Sequence, residues 1–262
     1  MTERPKSTVD FGTANPELVP IRDAATVVLL RDGADGIETV MLQRNLESDF
    51  VGGAYVFPGG AVDPQDGHTD PFRVAAIRET FEEAGLLLAR DGRGRALSFE
   101  DAAVAERFGA YRREIDSATM TVAQLCATEG LTLALDELRT YARWVTPLGA
   151  PRRYDTRFFV ARAPEGQVAL HDDREVIGHV WIRPSEALDR HDAGLFNLIL
   201  PTRATLEDLV FFDTVDDVIE ALGGVGEPEP IMPTADGDEG GVTLTMPDGR
   251  RFDAATCRPL EG

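Results

Sequence analysis

Glu79, Glu82 and Glu83 carry the strongest chemical signal in this chain. On a helix, at roughly 100° per residue, their i, i+3 and i+4 spacing sets three carboxylates on one side. Val74, Ile77, Phe81, Ala84 and Leu88 gather on the opposite side, where they can pack on a core. Three ionised carboxylates so close repel one another unless something positive joins them. Hard divalent cations such as Mg²⁺ favour such oxygen ligands. The competing reading is a solvated acidic helix face, which a chain with 46 Asp plus Glu can readily carry.

The flanking residues point to the elements that must position these groups. Asp70-Pro71 reads as a helix start, with Asp70 as cap and Pro71 at the first helical position, where a missing N–H costs nothing. Gly85 suits the left-handed residue that closes a helix, and the metal helix is expected to run to about Leu88. Arg78 precedes the first glutamate, where an ion pair would hold a carboxylate in one orientation. Upstream, Phe57 to Asp66 is a loop punctuated by Gly and Pro. Its adjacent Gly59 and Gly60 let the backbone come close to a ligand or metal.

The run Arg78-Glu79-Thr80-Phe81-Glu82-Glu83-Ala84-Gly85-Leu86 resembles the second half of the box of the Nudix hydrolases, G-x5-E-x7-R-E-U-x-E-E-x-G-U, where U is bulky and apolar. Thr80 replaces the first apolar residue of that half. The first half departs twice. Asp66, separated from Gly60 by the expected five residues, stands where Glu is usual, and eleven residues rather than seven separate it from Arg78. An insertion at this point resembles the branch of the family that cleaves coenzyme A and acyl-CoA. Ala54 to Gly60, Trp144-Val145-Thr146-Pro147, Arg153-Tyr154-Asp155-Thr156 and Val176-Ile177-Gly178 are similar to that branch as well.

The resemblance implies a mixed α/β fold in which a mixed sheet lies between helices, and a metal-dependent hydrolysis of a pyrophosphate bond joining a nucleoside to another group. It implies that Glu79, Glu82 and Glu83, with the carbonyl oxygen of Gly60, hold Mg²⁺ or Mn²⁺, and that Arg78 orients Glu79. The base that takes the water's proton is then Glu79 or an acid from the downstream loop His171 to Val176, where Glu175, Asp173 and Asp172 are candidates. The small-molecule substrate expected from the branch is coenzyme A or acyl-CoA, giving 3′,5′-ADP and a phosphopantetheine. NADH or ADP-ribose is the alternative for an enzyme. A nucleotide-sensing regulator is the alternative from another class, although the box glutamates are kept and no DNA-binding segment is added.

Composition bounds the partners. A formal net charge of −20 disfavours nucleic acid and anionic membrane surfaces, and an acidic protein acting on a pyrophosphate needs a metal or arginines to offset repulsion. Arg44 follows a strand, and Arg152 and Arg153 sit in a loop with Arg157 just beyond; such groups can bind phosphate bidentately. In the coenzyme A reading Arg152 or Arg153 would take the 3′-phosphate. The plainer alternatives are an end-of-strand charge for Arg44 and ion pairing with Asp155 or nearby glutamates for the cluster. Cys126 and Cys257 form neither a disulfide framework nor a metal cluster and are expected to be reduced thiols. There is no signal-peptide-like apolar stretch, no long apolar span and no Ser-Lys-Leu ending, so a cytoplasmic location is expected. A homodimer stays open.

Along the chain, residues 1–20 read as a flexible tail, 21–222 as the Nudix domain and 223–262 as a linker and C-terminal β-hairpin. Strands are expected at Ala24 to Leu30, Thr39 to Gln43, Ala54 to Phe57, Trp144 to Thr146, Thr156 to Ala161, Val168 to Leu170 and Gly178 to Ile182. A helical insertion occupies about 99–142, with helices at Phe99 to Ile115, Thr121 to Thr128 and Asp136 to Tyr141. Ser185 is expected to cap a further helix, and two more cover Thr205 to Phe211 and Val215 to Leu222. The hairpin pairs Val242 to Met246 with Arg250 to Phe252 across Asp248-Gly249. The four histidines lack the spacing of a zinc site and read as structural or exposed.

Overall fold

Val27 and Leu29 face one side of the first strand, Val28 and Leu30 the other, and all four are fully buried. A strand apolar on both faces must be covered by a layer on each, and that requirement sets the architecture. The computed structural model describes residues 16–46, 52–170, 176–224, 226–238 and 241–260. The first half contains β1 (Ile21–Gly33), β2 (Gly36–Arg44), β3 (Tyr55–Val56), β4 (Gly59–Ala61), α1 (Pro71–Ala84) and β5 (Ala89–Arg90). Next come α2 (Ala102–Asp116), α3 (Val122–Glu129), β6 (Thr132–Leu133), β7 (Arg139–Val145), β8 (Arg153–Arg162) and β9 (Val176–Ile182). The chain continues through α4 (Pro184–Asp192), α5 (Leu200–Leu209) and α6 (Val215–Ala221) to β10 (Pro230–Ile231), β11 (Thr234–Asp238), β12 (Gly241–Thr245) and β13 (Arg251–Asp253).

The main sheet runs β10-β7-β8-β1-β2-β3, with β4 paired to β1 and β9 to β2. It is mixed: β1 runs parallel to β8 from Ile21↔Arg153 to Leu30↔Arg162, and antiparallel to β2 and β4. α1, α2 and α3 cover one face, where Ile77, Phe81, Phe108 and Leu125 pack on Val27 and Leu29. The other face carries α4, α5, α6 and the small sheet β11-β12-β13, whose Leu244 and Phe252 join Phe158 and Leu200 in a second core. Among the described residues no helix is long and apolar enough to cross a membrane.

The helix start and the closing role of Gly85 behave as the sequence predicts, but the expected end near Leu88 does not hold. Asp70 Oδ1 accepts from the Arg73 N–H at 3.3 Å, Pro71 takes the first turn, and Gly85 closes the helix at φ 70° with its N–H on Phe81 O. The helix therefore ends at Ala84 rather than near Leu88; Leu86 to Leu88 are buried outside the helix, beyond the glycine.

Other expectations fail for tertiary reasons. Asp136 to Tyr141 is no helix: after a short turn at Leu135–Glu137 the chain enters β7, paired with β8 from Arg139↔Val160, because sheet pairing outweighs local propensity. Val168 to Leu170 forms no strand. There the Gln167 side chain stands in for one, accepting from the Leu87 N–H and donating to Leu87 O and Leu97 O. Ser185 caps nothing; Arg183 occupies the cap position and Pro184 the first turn. The stretch expected as a linker is tied down as well, β10 lying parallel to β7 (Ile231↔Trp144) and β11 adding a third strand to the predicted hairpin. The tail expected over residues 1–20 falls mostly outside the described residues; β1 already begins at Ile21.

Candidate active site

The site grows from one buried carboxylate. Pro64–Asp66 forms a short turn in which Asp63 Oδ1 accepts from the Gln65 N–H and Asp66 Oδ2 accepts from the Asp63 N–H at 2.7 Å. This holds Asp66 against Arg78, whose Nε and Nη2 donate to Oδ1 and Oδ2 at 2.8 and 3.0 Å. The eleven residues between them turn back through Gly67 (φ 81°) and Asp70 (φ 57°), so the long spacing does not displace the pair. Arg78 Nη2 also donates to Ala61 O, and Nη1 to Glu79 Oε1 at 2.8 Å and Glu82 Oε2 at 3.1 Å. Every N–H of the guanidinium is thereby used. Burial weakens the charged guanidinium, but Asp66, Glu79 and Glu82 outweigh it and raise its pKa.

β4 brings the glycines onto the same helix face. It pairs with β1 through Ala25↔Gly60 and Thr26↔Gly59, which places the Gly59 N–H 2.9 Å from Glu83 Oε2. A Cβ on Gly60 would lie 2.5 Å from the Glu79 carboxyl carbon, so a larger residue there would push that carboxylate out of its place. The acidic face is not a solvated one: Glu83 is 6% exposed, and the Glu79 and Glu82 side chains are 15% exposed. Burial pushes the Glu82 carboxyl up to about 7, with Glu79 and Asp116 adding repulsion and Arg78 opposing. Thr80, the polar intruder in the motif, is fully buried and donates from Oγ1 to Ala76 O at 2.7 Å, which satisfies its hydroxyl inside the helix. Arg112 of α2 donates to Glu82 O at 2.8 Å and so couples the helical insertion to the end of α1.

This donor set suits a hard divalent cation. Burial, with added repulsion from Glu79, disfavours the charged form of Glu82, which a cation would favour, and Gly60 brings its backbone against Glu79. Among the described residues no three such side chains already converge as a cation cage; the Arg78 Nη1 group bridges Glu79 and Glu82.

A cavity of about 510 Å³ opens from the glutamates. Its polar end includes Glu79, Glu82, Glu83, Asp116, Arg44 and Arg152. Arg44 enters where the β2–β9 register slips between Gln43 and Arg44, a bulge that re-aims the strand end. Arg152 sits on a loop closed at its base by Thr146, whose N–H donates to Tyr154 O and whose Oγ1 accepts from the Tyr154 N–H. Arg153 is buried instead, donating from Nε to Thr146 O, and does not line the cavity. Arg157 pairs with Glu227 and lies 4.2 Å from the Phe72 ring, and Asp155 is taken by Arg143. Glu175, with Asp172 and Asp173, lies outside the described residues. Asp116 and the C-terminal residues of the cavity are the members that local sequence pattern does not mark for the site. Of the histidines, His191 is buried with Nδ1 2.9 Å from Phe196 O, and burial lowers its pKa, as a structural residue requires.

Residues 69–201, just over half the chain, match the family described as the NUDT19 Nudix domain. The chain belongs to the Nudix hydrolases. It is 30% identical over 275 aligned positions to the acyl-coenzyme A diphosphatase NUDT19 of Gallus gallus, spanning 78% of this chain and 72% of that one. The Homo sapiens protein of the same name is 27% identical, spanning 78% and 70%. Among solved structures, a Nudix hydrolase from Alicyclobacillus acidocaldarius superposes with a TM-score of 0.65 at 30% identity, over 81% of this chain and 100% of that one. The mixed sheet between helices is thus the Nudix fold, and the Arg78–Leu86 run is the box of a pyrophosphohydrolase.

Proposed function

We propose that this Nudix hydrolase cleaves the diphosphate of coenzyme A and acyl-CoA in a divalent-cation-dependent reaction. The observation that carries the reading is the buried set Glu79, Glu82 and Glu83, packed against Gly59 and Gly60 at the polar end of a cavity that also presents Arg44 and Arg152. The names of the Gallus gallus and Homo sapiens relatives support the substrate class.

Glu79, Glu82, Glu83 and the carbonyl oxygen of Gly60 would hold Mg²⁺ or Mn²⁺, which would supply charge neutralisation at the diphosphate and a more acidic water. Arg78 keeps the Glu79 and Glu82 carboxylates in place by donating from one nitrogen to both, while Asp66 fixes the guanidinium from behind. The Gly59 N–H orients Glu83. Glu79, or Glu175 immediately before β9 in the sequence, takes the proton of the attacking water. Arg44 binds the diphosphate, and Arg152 takes the 3′-phosphate that separates coenzyme A from NADH and ADP-ribose. A reducing, cytoplasmic setting belongs to this reading, since Cys126 and Cys257 are both free.

Purified protein is assayed with CoA, acetyl-CoA, dephospho-CoA, NADH and ADP-ribose, with Mg²⁺ and with Mn²⁺, the products being resolved by mass. The expected products are 3′,5′-ADP and the corresponding phosphopantetheine from CoA and its ester. Preference for dephospho-CoA argues against the 3′-phosphate contact. Turnover of NADH or ADP-ribose alone replaces the substrate assignment, and tight nucleotide binding without any turnover makes the protein a sensor.

A further inference from the structure

Part of the cavity lining is not used by the chemistry at the glutamates: Trp144, Phe158 and Leu200, together with Leu244, Ala254 and Cys257 of the C-terminal extension. All six belong to one packed core, and the last three are each no more than 7% exposed. None carries a charge, and burial pushes the Cys257 thiol up to about 12, so it stays neutral.

The extension is fixed as a wall. β10 pairs with β7 beside Trp144, the Ala254 N–H donates to Val242 O at 2.8 Å, and the Cys257 N–H donates to Asp253 O at 2.7 Å. Arg258 Nη2 ties the end of the wall to Asp192 O at 2.7 Å, and Arg250 pairs with Glu207 of α5. The C-terminal extension is therefore a packed wall of the cavity rather than a detached tail.

A substrate spanning this cavity must place chemically different groups at its two ends. A purine offers ring nitrogens and an amino group that want partners, and burying them against aliphatic carbon and a neutral thiol would leave them unpaired. An alkyl chain has no such requirement, and each methylene removed from water is worth about fourfold in affinity. We infer that Leu244, Ala254 and Cys257 form the subsite for the apolar, acyl-bearing arm of the substrate, so that the C-terminal extension sets acyl-chain preference. This inference rests on the coenzyme A reading of the polar end.

The test compares kcat/KM for CoA, hexanoyl-CoA and dodecanoyl-CoA in the full-length wild type, Ala254→Trp and Leu244→Ala, with thermal melting of each. In the wild type the hexanoyl-CoA to CoA ratio is expected to exceed one. Ala254→Trp fills the end of the cavity and should lower that ratio at least tenfold. Leu244→Ala enlarges it and should shift preference toward dodecanoyl-CoA. Should Ala254→Trp fail to fold, Leu244→Ala, which only removes atoms, decides the matter. A wild-type ratio at or below one, or ratios unchanged in the folded variants, overturns the acyl subsite while leaving coenzyme A cleavage standing. No cleavage of any coenzyme A compound by the wild type overturns both.

Discussion

The two ends of the cavity are built on opposite principles. At the glutamate end nearly every polar atom is directed by another: Asp66 and Ala61 hold Arg78, Arg78 holds Glu79 and Glu82, and Gly59 holds Glu83. At the far end Leu244, Ala254 and Cys257, held by backbone hydrogen bonds, present to the cavity shape and the absence of charge. The first arrangement suits fixed chemistry, where a small displacement of a carboxylate is costly. The second suits selection among substrates that differ in apolar length, where each increment is modest and additive.

If the glutamate end performs the reaction, the largest effect belongs to Glu83→Gln. Glutamine still accepts from the Gly59 N–H, so circular dichroism and melting should change little, while kcat with Mg²⁺ falls about 10²- to 10³-fold. Full activity would remove Glu83 from the chemistry.

Asp66→Ala should come next, because it strands part of a buried guanidinium. A stability loss of about 3 kcal/mol by denaturant titration is expected, with about 10- to 100-fold lower activity as Glu79 and Glu82 lose their anchor. A variant as stable and active as wild type would show that Arg78 is positioned without it.

A pH effect follows from Glu82, whose pKa is raised from its ordinary 4.5 to about 7 in the metal-free protein. Its protonated form contributes stability that is full below about 4.5 and lost as pH rises through about 7. A cation needs the ionised form, so the rise in melting temperature caused by Mg²⁺ should grow between about pH 6 and pH 8. A metal-induced shift independent of pH over that range would contradict the assignment of Glu82 as a ligand.

The smallest effect is expected at Arg152, which is exposed and screened by solvent. Arg152→Ala should raise KM for CoA no more than about tenfold and leave dephospho-CoA unaffected. An equal loss for both substrates would place Arg152 on the diphosphate instead.

The contrast between the two ends also explains what could be read from the chain. The glutamate end is local: Asp70, Pro71 and Gly85 bound the helix by cap chemistry, and Glu79, Glu82 and Glu83 share a face by helical period alone. Four residues more than the box allows separate Asp66 from Arg78, yet a backbone turn through Gly67 and Asp70 absorbs the extra length. The apolar end is non-local, since Trp144, Leu200 and Leu244 meet only through sheet pairing and packing. For the same reason β7 was legible only from Trp144 onward: its pairing with β8 recruits Arg139 to Tyr141 from a stretch with helix-forming composition. Nor does residue type tell Arg152 from Arg153. The turn at Thr146 puts the first on the cavity and turns the second onto the Thr146 carbonyl.

The claim beneath all of this is that the acid cluster of α1 exists to hold a divalent cation. Titration of Mn²⁺ into the substrate-free protein, followed by electron paramagnetic resonance, reads that directly. Saturable binding in the wild type, weakened at least tenfold in Glu79→Gln and Glu83→Gln, is the expected result. Identical Mn²⁺ titrations for the wild type and both folded variants would contradict it.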